Sequence, residues 1–257
     1  MQFTPVTASG ASIASVLFGP PASRPVRVYL AGLGSAGTVA FAPAVADPRL
    51  APLGRHLLVD LIGTGWSDAD ESFGYTVDEH AATVITLLDS LSLGPIELIG
   101  HSLGGSIGIS LAAQRPDLLE RLVVIEPNLD PGVGSTSVRI AGYTEEEFLR
   151  SGYPLILGEI RRQGEAGDAS SAEWGRTMQR WSTRGLYRAS VSILAQRPQT
   201  FRQQLAAFAG PRRYISGELS HEDLDPVRAI GCEVIVVEGA GHDVMADNLD
   251  GFVRALL

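Results

Sequence analysis

Short apolar blocks separated by turn-forming residues run through the first third of the chain, and helical spacing takes over afterwards. Ala11 to Phe18, Val26 to Leu30 and Leu57 to Leu61 are rich in aliphatic and β-branched residues and predict three strands. Gly19-Pro20-Pro21 punctuates the first pair as a hairpin turn would. Thr76 followed by Glu79 is a capping box, and Val84, Leu87, Leu88 and Leu91 recur on one helical face until Gly94-Pro95 stops the run. A strand from Ile96 to Ile99, a helix of small residues from near Leu103 to before Pro116, and a strand from Leu122 to Ile125 follow. Strands alternating with helices predict a mostly parallel sheet, an α/β fold.

From Asn128 to about Phe208 no β-branched run appears, and amphipathic helical segments replace it. Thr144 with Glu147 is a second capping box, Phe148, Leu149, Ile156 and Leu157 are inward candidates, and Pro154 is expected to break or kink this element. The strand pattern resumes at Arg213 to Ile215 and Val234 to Val237, and a closing helix runs from about Leu249 to Leu257. A helical run this long exceeds an ordinary connection, so residues 128–208 read as a lid inserted into a core of 1–127 and 209–257. Trp174, Met178 and Trp181, spaced by four and three, are candidates to line an apolar pocket beneath it, although the same spacing fits plain core.

The 257 residues, 45% of them apolar, suffice for one large domain. A formal net charge of -9 leaves no basic stripe for phosphates, which argues against nucleic acid and for a small neutral substrate. Cys232 is the only cysteine, so neither an internal disulfide nor a zinc site of several thiolates can form, and no metal or cofactor is expected. The N-terminus lacks a basic start followed by an apolar run, and no stretch approaches the roughly 18 apolar residues that cross a bilayer. A cytoplasmic protein without membrane partners is the expectation. Nothing in the sequence speaks to oligomeric state.

Gly100-His101-Ser102-Leu103-Gly104 is a G-x-S-x-G segment lying between a predicted strand and a predicted helix. That context makes Ser102 a candidate nucleophile on a sharp turn, with the first N–H groups of the Leu103 helix aimed at a developing oxyanion. In this arrangement the base comes last in the chain. Gly239-Ala240-Gly241-His242 follows the last predicted strand, so His242 is the candidate base and His221 its one serious competitor.

On these motifs the chain resembles the α/β-hydrolases over nearly its whole length apart from the lid. Tyr29-Leu30-Ala31-Gly32-Leu33-Gly34 resembles the family's oxyanion loop, with Ala31 where a histidine is usual. The resemblance implies that the Leu33 N–H joins that of Leu103 in an oxyanion hole. Asp60 to Asp68 resembles the family's structural turn after the fourth strand. The third triad member departs from the common pattern, since Ser220 stands where the family most often has an aspartate. The haloalkane dehalogenase branch carries its acid after the strand that follows the nucleophile helix, and Glu126 occupies that place here, with Glu218, Asp130 and Asp223 as alternatives. A serine nucleophile argues against dehalogenase or epoxide hydrolase chemistry.

The expected activity is carboxylesterase-like hydrolysis of a small ester, thioester or lactone through an acyl-enzyme, the bond type being open to amides as well. One rival is a receptor that keeps the hydrolase shell without turnover. Another is a dinucleotide-binding oxidoreductase, suggested by the formal G-x-G-x-x-G of Gly32 to Gly37 and opposed by Pro43 and Pro48 in the helix it requires.

Overall fold

The computed structural model describes residues 1–21, 25–132 and 134–257. Among them, eight strands form one sheet: β1 (Gln2–Pro5), β2 (Ser12–Phe18), β3 (Arg27–Leu30), β4 (His56–Val59), β5 (Ile96–His101), β6 (Leu119–Ile125), β7 (Arg212–Gly217) and β8 (Glu233–Val237). Their spatial order is β1-β2-β4-β3-β5-β6-β7-β8. β1 and β2 are antiparallel to their neighbours, and every pairing from β4 to β8 is parallel. The mostly parallel α/β architecture is therefore the one the sequence predicted.

Side chains on successive positions enter opposite cores. Val28, Leu30, Leu57, Val59, Leu98, Leu122 and Val124 share one cluster, and Tyr29, Leu58, Ile99, Val123 and Ile125 share the other. A parallel sheet covered on both faces needs such continuous apolar strands, each buried aliphatic side chain contributing about 1.5–3 kcal/mol. The helix Val77–Leu91 covers one face, its capping box formed between Thr76 and Glu79, and turns Val84, Leu87 and Leu88 inward. At the opposite end of the sheet from the candidate residues, the buried Arg27 and Glu97 pair at 2.7 Å and tie β3 to β5.

Two local expectations are corrected. Gly19-Pro20-Pro21 does not close a hairpin between β2 and β3, because β4 lies between them, paired antiparallel to β2 and parallel to β3. The hairpin is β1–β2, whose turn is closed by the Val6 N–H to Ala11 carbonyl bond at 2.9 Å. Nor does Pro154 end its element, although α geometry is interrupted just before it. It lies in the first turn of the helix Tyr153–Glu165, which continues directly from a π-helical stretch, Phe148–Gly152. The wider π turn accommodates a residue that lacks an N–H and crowds the carbonyl four residues back.

Between β6 and β7 the chain is helical, with helices Ser135–Ala141, Tyr153–Glu165, Ala169–Met178, Thr183–Leu194 and Phe201–Ala207. No helix among the described residues is long and apolar enough to cross a membrane. Because β3 to β8 run parallel, the loops after β3, β5, β6, β7 and β8 all leave from one sheet edge, where ligand sites of such sheets form.

Candidate active site

Ser102 ends β5 and begins the helix Leu103–Gln114 at φ 51°, ψ -119°. That strained turn is possible only with glycine on either side. A Cβ on Gly100 would stand 2.4 Å from the Gly104 carbonyl oxygen, and one on Gly104 would stand 2.3 Å from that of Leu30. The Ser102 side chain does not cap its own helix, and among the described residues nothing hydrogen-bonds its Oγ. The hydroxyl is left to the cavity described below.

Glu126 ends β6 in a second left-handed turn, φ 44°. Its Oε2 lies 2.8 Å from His242 Nδ1, while Oε1 accepts from the Gly217 N–H at 2.8 Å and the Ser216 hydroxyl at 3.2 Å. Burial pushes this carboxyl up, but the His242 ring, the Ser220 hydroxyl and the Gly217 N–H outweigh it and hold the group at about 2. The converse holds for His242: burial lowers it, yet the Glu126 hydrogen bond and charge leave it above the ordinary histidine value. A carboxylate accepting from Nδ1 directs Nε2 outward as the acceptor of a neutral imidazole.

The alternatives have other partners. Asp130 pairs with Arg202 at 2.7 Å, Glu218 accepts from the Gly239 N–H at 3.0 Å, and Asp223 accepts from the Asp225 N–H at 3.1 Å. His221 is exposed at a left-handed turn and does not line the cavity. Ser220, standing in the aspartate's usual place, has a buried hydroxyl near Glu126, close enough to help hold that carboxyl down though outside ideal hydrogen-bond geometry.

Leu33 and Leu103 both line the cavity, and among the described residues neither N–H is engaged in a hydrogen bond. Leu103, 1% exposed, stands at the first position of its helix, where N–H groups have no partner within the helix. His101 was read only as part of the elbow. Its buried Nε2 donates to the His242 carbonyl at 2.9 Å and its ring packs 4.8 Å from the His242 ring, so it ties elbow to base. Burial, reinforced by the charge of His242, pushes His101 down to about 4 and keeps it neutral. No motif pointed to this bridge, since it joins positions 141 apart in the chain.

The cavity has a volume of about 710 Å³ and is lined by Ser102, His242, Glu126 and Trp174, with Ile193 and Met245 among its apolar contributors. Of the three pocket candidates, only Trp174 reaches it. Met178 is fully buried in the core, and Trp181, 5% exposed, gives its indole N–H to the Ser35 carbonyl.

The glycines of the formal dinucleotide motif are consumed by internal packing. A Cβ on Gly32 would stand 3.1 Å from Ser102 Cβ, one on Gly34 2.3 Å from Trp174 Nε1, and one on Gly37 2.1 Å from the Val59 carbonyl oxygen. The helix after them spans only Gly37–Ala40, and Asp60 is buried beneath the Thr38 hydroxyl and the Trp66 N–H. A single four-residue turn offers a pyrophosphate little of the aligned N–H dipole that a long helix would supply.

The family model described as the alpha/beta hydrolase fold matches residues 37–155. A relative from Serratia proteamaculans named "Putative carbamate hydrolase RutD" is 39% identical over 131 residues, covering 50% of this chain and 46% of its own length. This chain thus spans about half the length of the curated relatives of that name that it matches. Among solved structures, a thermophilic esterase from Thermogutta terrifontis superimposes with a TM-score of 0.81 at 19% identity, covering 100% of this chain and 97% of that one. The enol-lactonase from Burkholderia xenovorans LB400 gives 0.81 at 21%, covering 99% and 98%. These two likenesses speak to fold alone. With the family match over residues 37–155, the sheet order and the strand–turn–helix elbow in agreement, the chain has the α/β-hydrolase fold.

Proposed function

We propose that the protein is a serine hydrolase cleaving neutral carboxylic esters or lactones through an acyl-enzyme, with Ser102 as nucleophile, His242 as general base and Glu126 as the acid that orients it. The observation carrying this reading is the 2.8 Å Glu126–His242 hydrogen bond beside the cavity to which the strained Ser102 is open. His242 takes the Ser102 proton as Oγ attacks the substrate carbonyl, and ionised Glu126 stabilises the imidazolium so formed. The oxyanion is received by the N–H groups of Leu33 and Leu103. His242 then returns its proton to the leaving group, and water, activated by the same base, releases the acid. The missing Ser102–His242 hydrogen bond is no obstacle, because such contacts tighten when substrate fills the site. Residues 128–208 act as the lid, contributing Trp174 and Ile193 to the cavity wall.

The charge of the cavity supports a neutral substrate. Glu126, Glu173, Glu222 and Asp243 line it, and no arginine is among the described residues that do. Burial raises both Glu173 and Glu222, Asp243 adding to the first and Glu126 to the second, so a further negative charge is unwelcome. p-Nitrophenyl butyrate is expected to be hydrolysed with a kcat/KM about 10²-fold above that of mono-p-nitrophenyl succinate, which shares its leaving group. Equal rates on the two would remove the charge argument. The relative named as a carbamate hydrolase places an aryl N-alkylcarbamate in the same substrate panel.

The catalytic assignment is tested by treating the protein with a fluorophosphonate and mapping the adduct by mass spectrometry. The expected result is a single modified peptide carrying Ser102, absent from Ser102→Ala. An unlabelled protein that still binds esters would instead mark a receptor.

A further inference from the structure

The oxyanion loop lacks the family's usual histidine, since Ala31 stands in its place, yet three consecutive carbonyls of that loop are held by side chains from one helix and the turn that follows it. Trp174 Nε1 donates to the Leu33 carbonyl at 2.9 Å, Thr177 Oγ1 to the Gly34 carbonyl at 2.8 Å, and Trp181 Nε1 to the Ser35 carbonyl at 2.7 Å. Trp174 and Thr177, three apart on the helix Ala169–Met178, share one of its faces, and Trp181 lies in the turn three residues beyond it. Thr177 and Trp181 are 4% and 5% exposed, so these bonds are shielded from water. We infer that Trp174, Thr177 and Trp181 are positioning residues that clamp the oxyanion loop, so that the Leu33 N–H faces the oxyanion before substrate arrives. The inference rests on the serine-hydrolase reading above.

Peptide planes make the clamp effective. Fixing the Leu33 carbonyl fixes the Leu33–Gly34 plane, and the Ser35 N–H to Gly32 carbonyl bond at 3.1 Å fixes the plane that carries the Leu33 N–H. Gly34, at φ 78°, is the hinge about which an untethered loop would rotate. The same residue must be glycine for Trp174 to approach, as the 2.3 Å contact of a Cβ there shows. Loop hinge and indole thus fit each other, and the ordering that a histidine in place of Ala31 would give comes from the inserted helical segment.

The test compares Thr177→Val, Thr177→Ser, Trp181→Phe and Trp174→Phe with the native protein, using p-nitrophenyl butyrate and active sites titrated with a fluorophosphonate. Thr177→Val and Trp181→Phe, at positions outside the cavity lining, are expected to lower kcat per titrated site about 10- to 100-fold with KM within about twofold. The Ki of an alkylboronic acid, which forms a tetrahedral adduct on Ser102, should rise in parallel. Thr177→Ser keeps the hydroxyl and is expected to restore most of kcat. Trp174→Phe, facing the cavity, should change KM as well. If kcat per titrated site and boronate Ki stay within about twofold of native in Thr177→Val and Trp181→Phe, the clamp is refuted while the hydrolase reading stands. A lower melting temperature alone, with both constants unmoved, has the same meaning. A native protein that neither labels at Ser102 nor turns over any ester overturns the hydrolase reading and the clamp with it.

Discussion

Ser102→Ala is expected to lower kcat on p-nitrophenyl butyrate by about 10⁶-fold, measured as turnover per folded protein with the melting curve unchanged or raised. The size follows from what the side chain does. Without Oγ there is no acyl-enzyme, and His242 has no proton to take. On the proposed mechanism the remaining rate over water, about 10³- to 10⁴-fold, is expected from the Leu33 and Leu103 N–H groups acting on a directly attacked carbonyl. A variant that keeps more than about a tenth of native kcat would mean that another residue is the nucleophile. The same substitution removes a non-glycine residue with a polar side chain from a left-handed turn but leaves a Cβ behind, so any gain in stability is small.

Glu126→Gln is the second large effect, with kcat falling about 10³- to 10⁴-fold and the pH profile moving with it. An amide in place of the carboxylate can donate to Nδ1 and so favour the tautomer with its proton on Nε2, which cannot act as base. It also removes the negative charge that stabilises the imidazolium. His242 must be neutral to act, and Glu126 raises its pKa, so the acid limb of kcat/KM in the native protein lies above the ordinary histidine value of 6.5. Removing the charge moves that limb to lower pH. Glu218→Gln, by contrast, should leave the limb where it is, since the Glu218 carboxylate accepts from the Gly239 N–H and does not line the cavity. Stability has its own window. Glu126, held at about 2 against an ordinary 4.5, contributes above 4.5 and loses that contribution as pH falls toward 2. His242, being raised, contributes below 6.5 and loses it as pH climbs through its folded value. The pair therefore stabilises the fold fully between about 4.5 and 6.5, and denaturant titrations of native and Glu126→Gln protein should diverge most in that interval.

Much of this was written locally. The elbow could be read because G-x-S-x-G, an apolar strand and a helix of small residues are contiguous, and His242 because two glycines and a strand precede it. The Thr76 and Thr144 capping boxes were legible for the same reason, each closing within four residues. What escaped depends on distant partners. β1 is four residues long and ends in Pro5, and it exists because β2 offers it a free edge. The neighbour of β2 is chosen by sheet topology, so sequence adjacency pointed wrongly to β3. Trp174, Met178 and Trp181 share helical spacing, but only the position of the loop beneath them separates a cavity wall, a core residue and a carbonyl donor. His101 and Thr177 carried no local mark at all, their partners lying 141 and 143 residues away.

Ser102 and Glu126 both occupy backbone conformations that a side chain enters only at a cost of order 1–3 kcal/mol. Drift toward a tougher fold therefore runs against the chemistry at these two places, since glycine is the residue that would rest there most easily. A descendant freed from turnover would be drawn to just that replacement. On the proposed mechanism, glycine at either position in a kindred chain is a fossil of lost activity, readable before any assay is run.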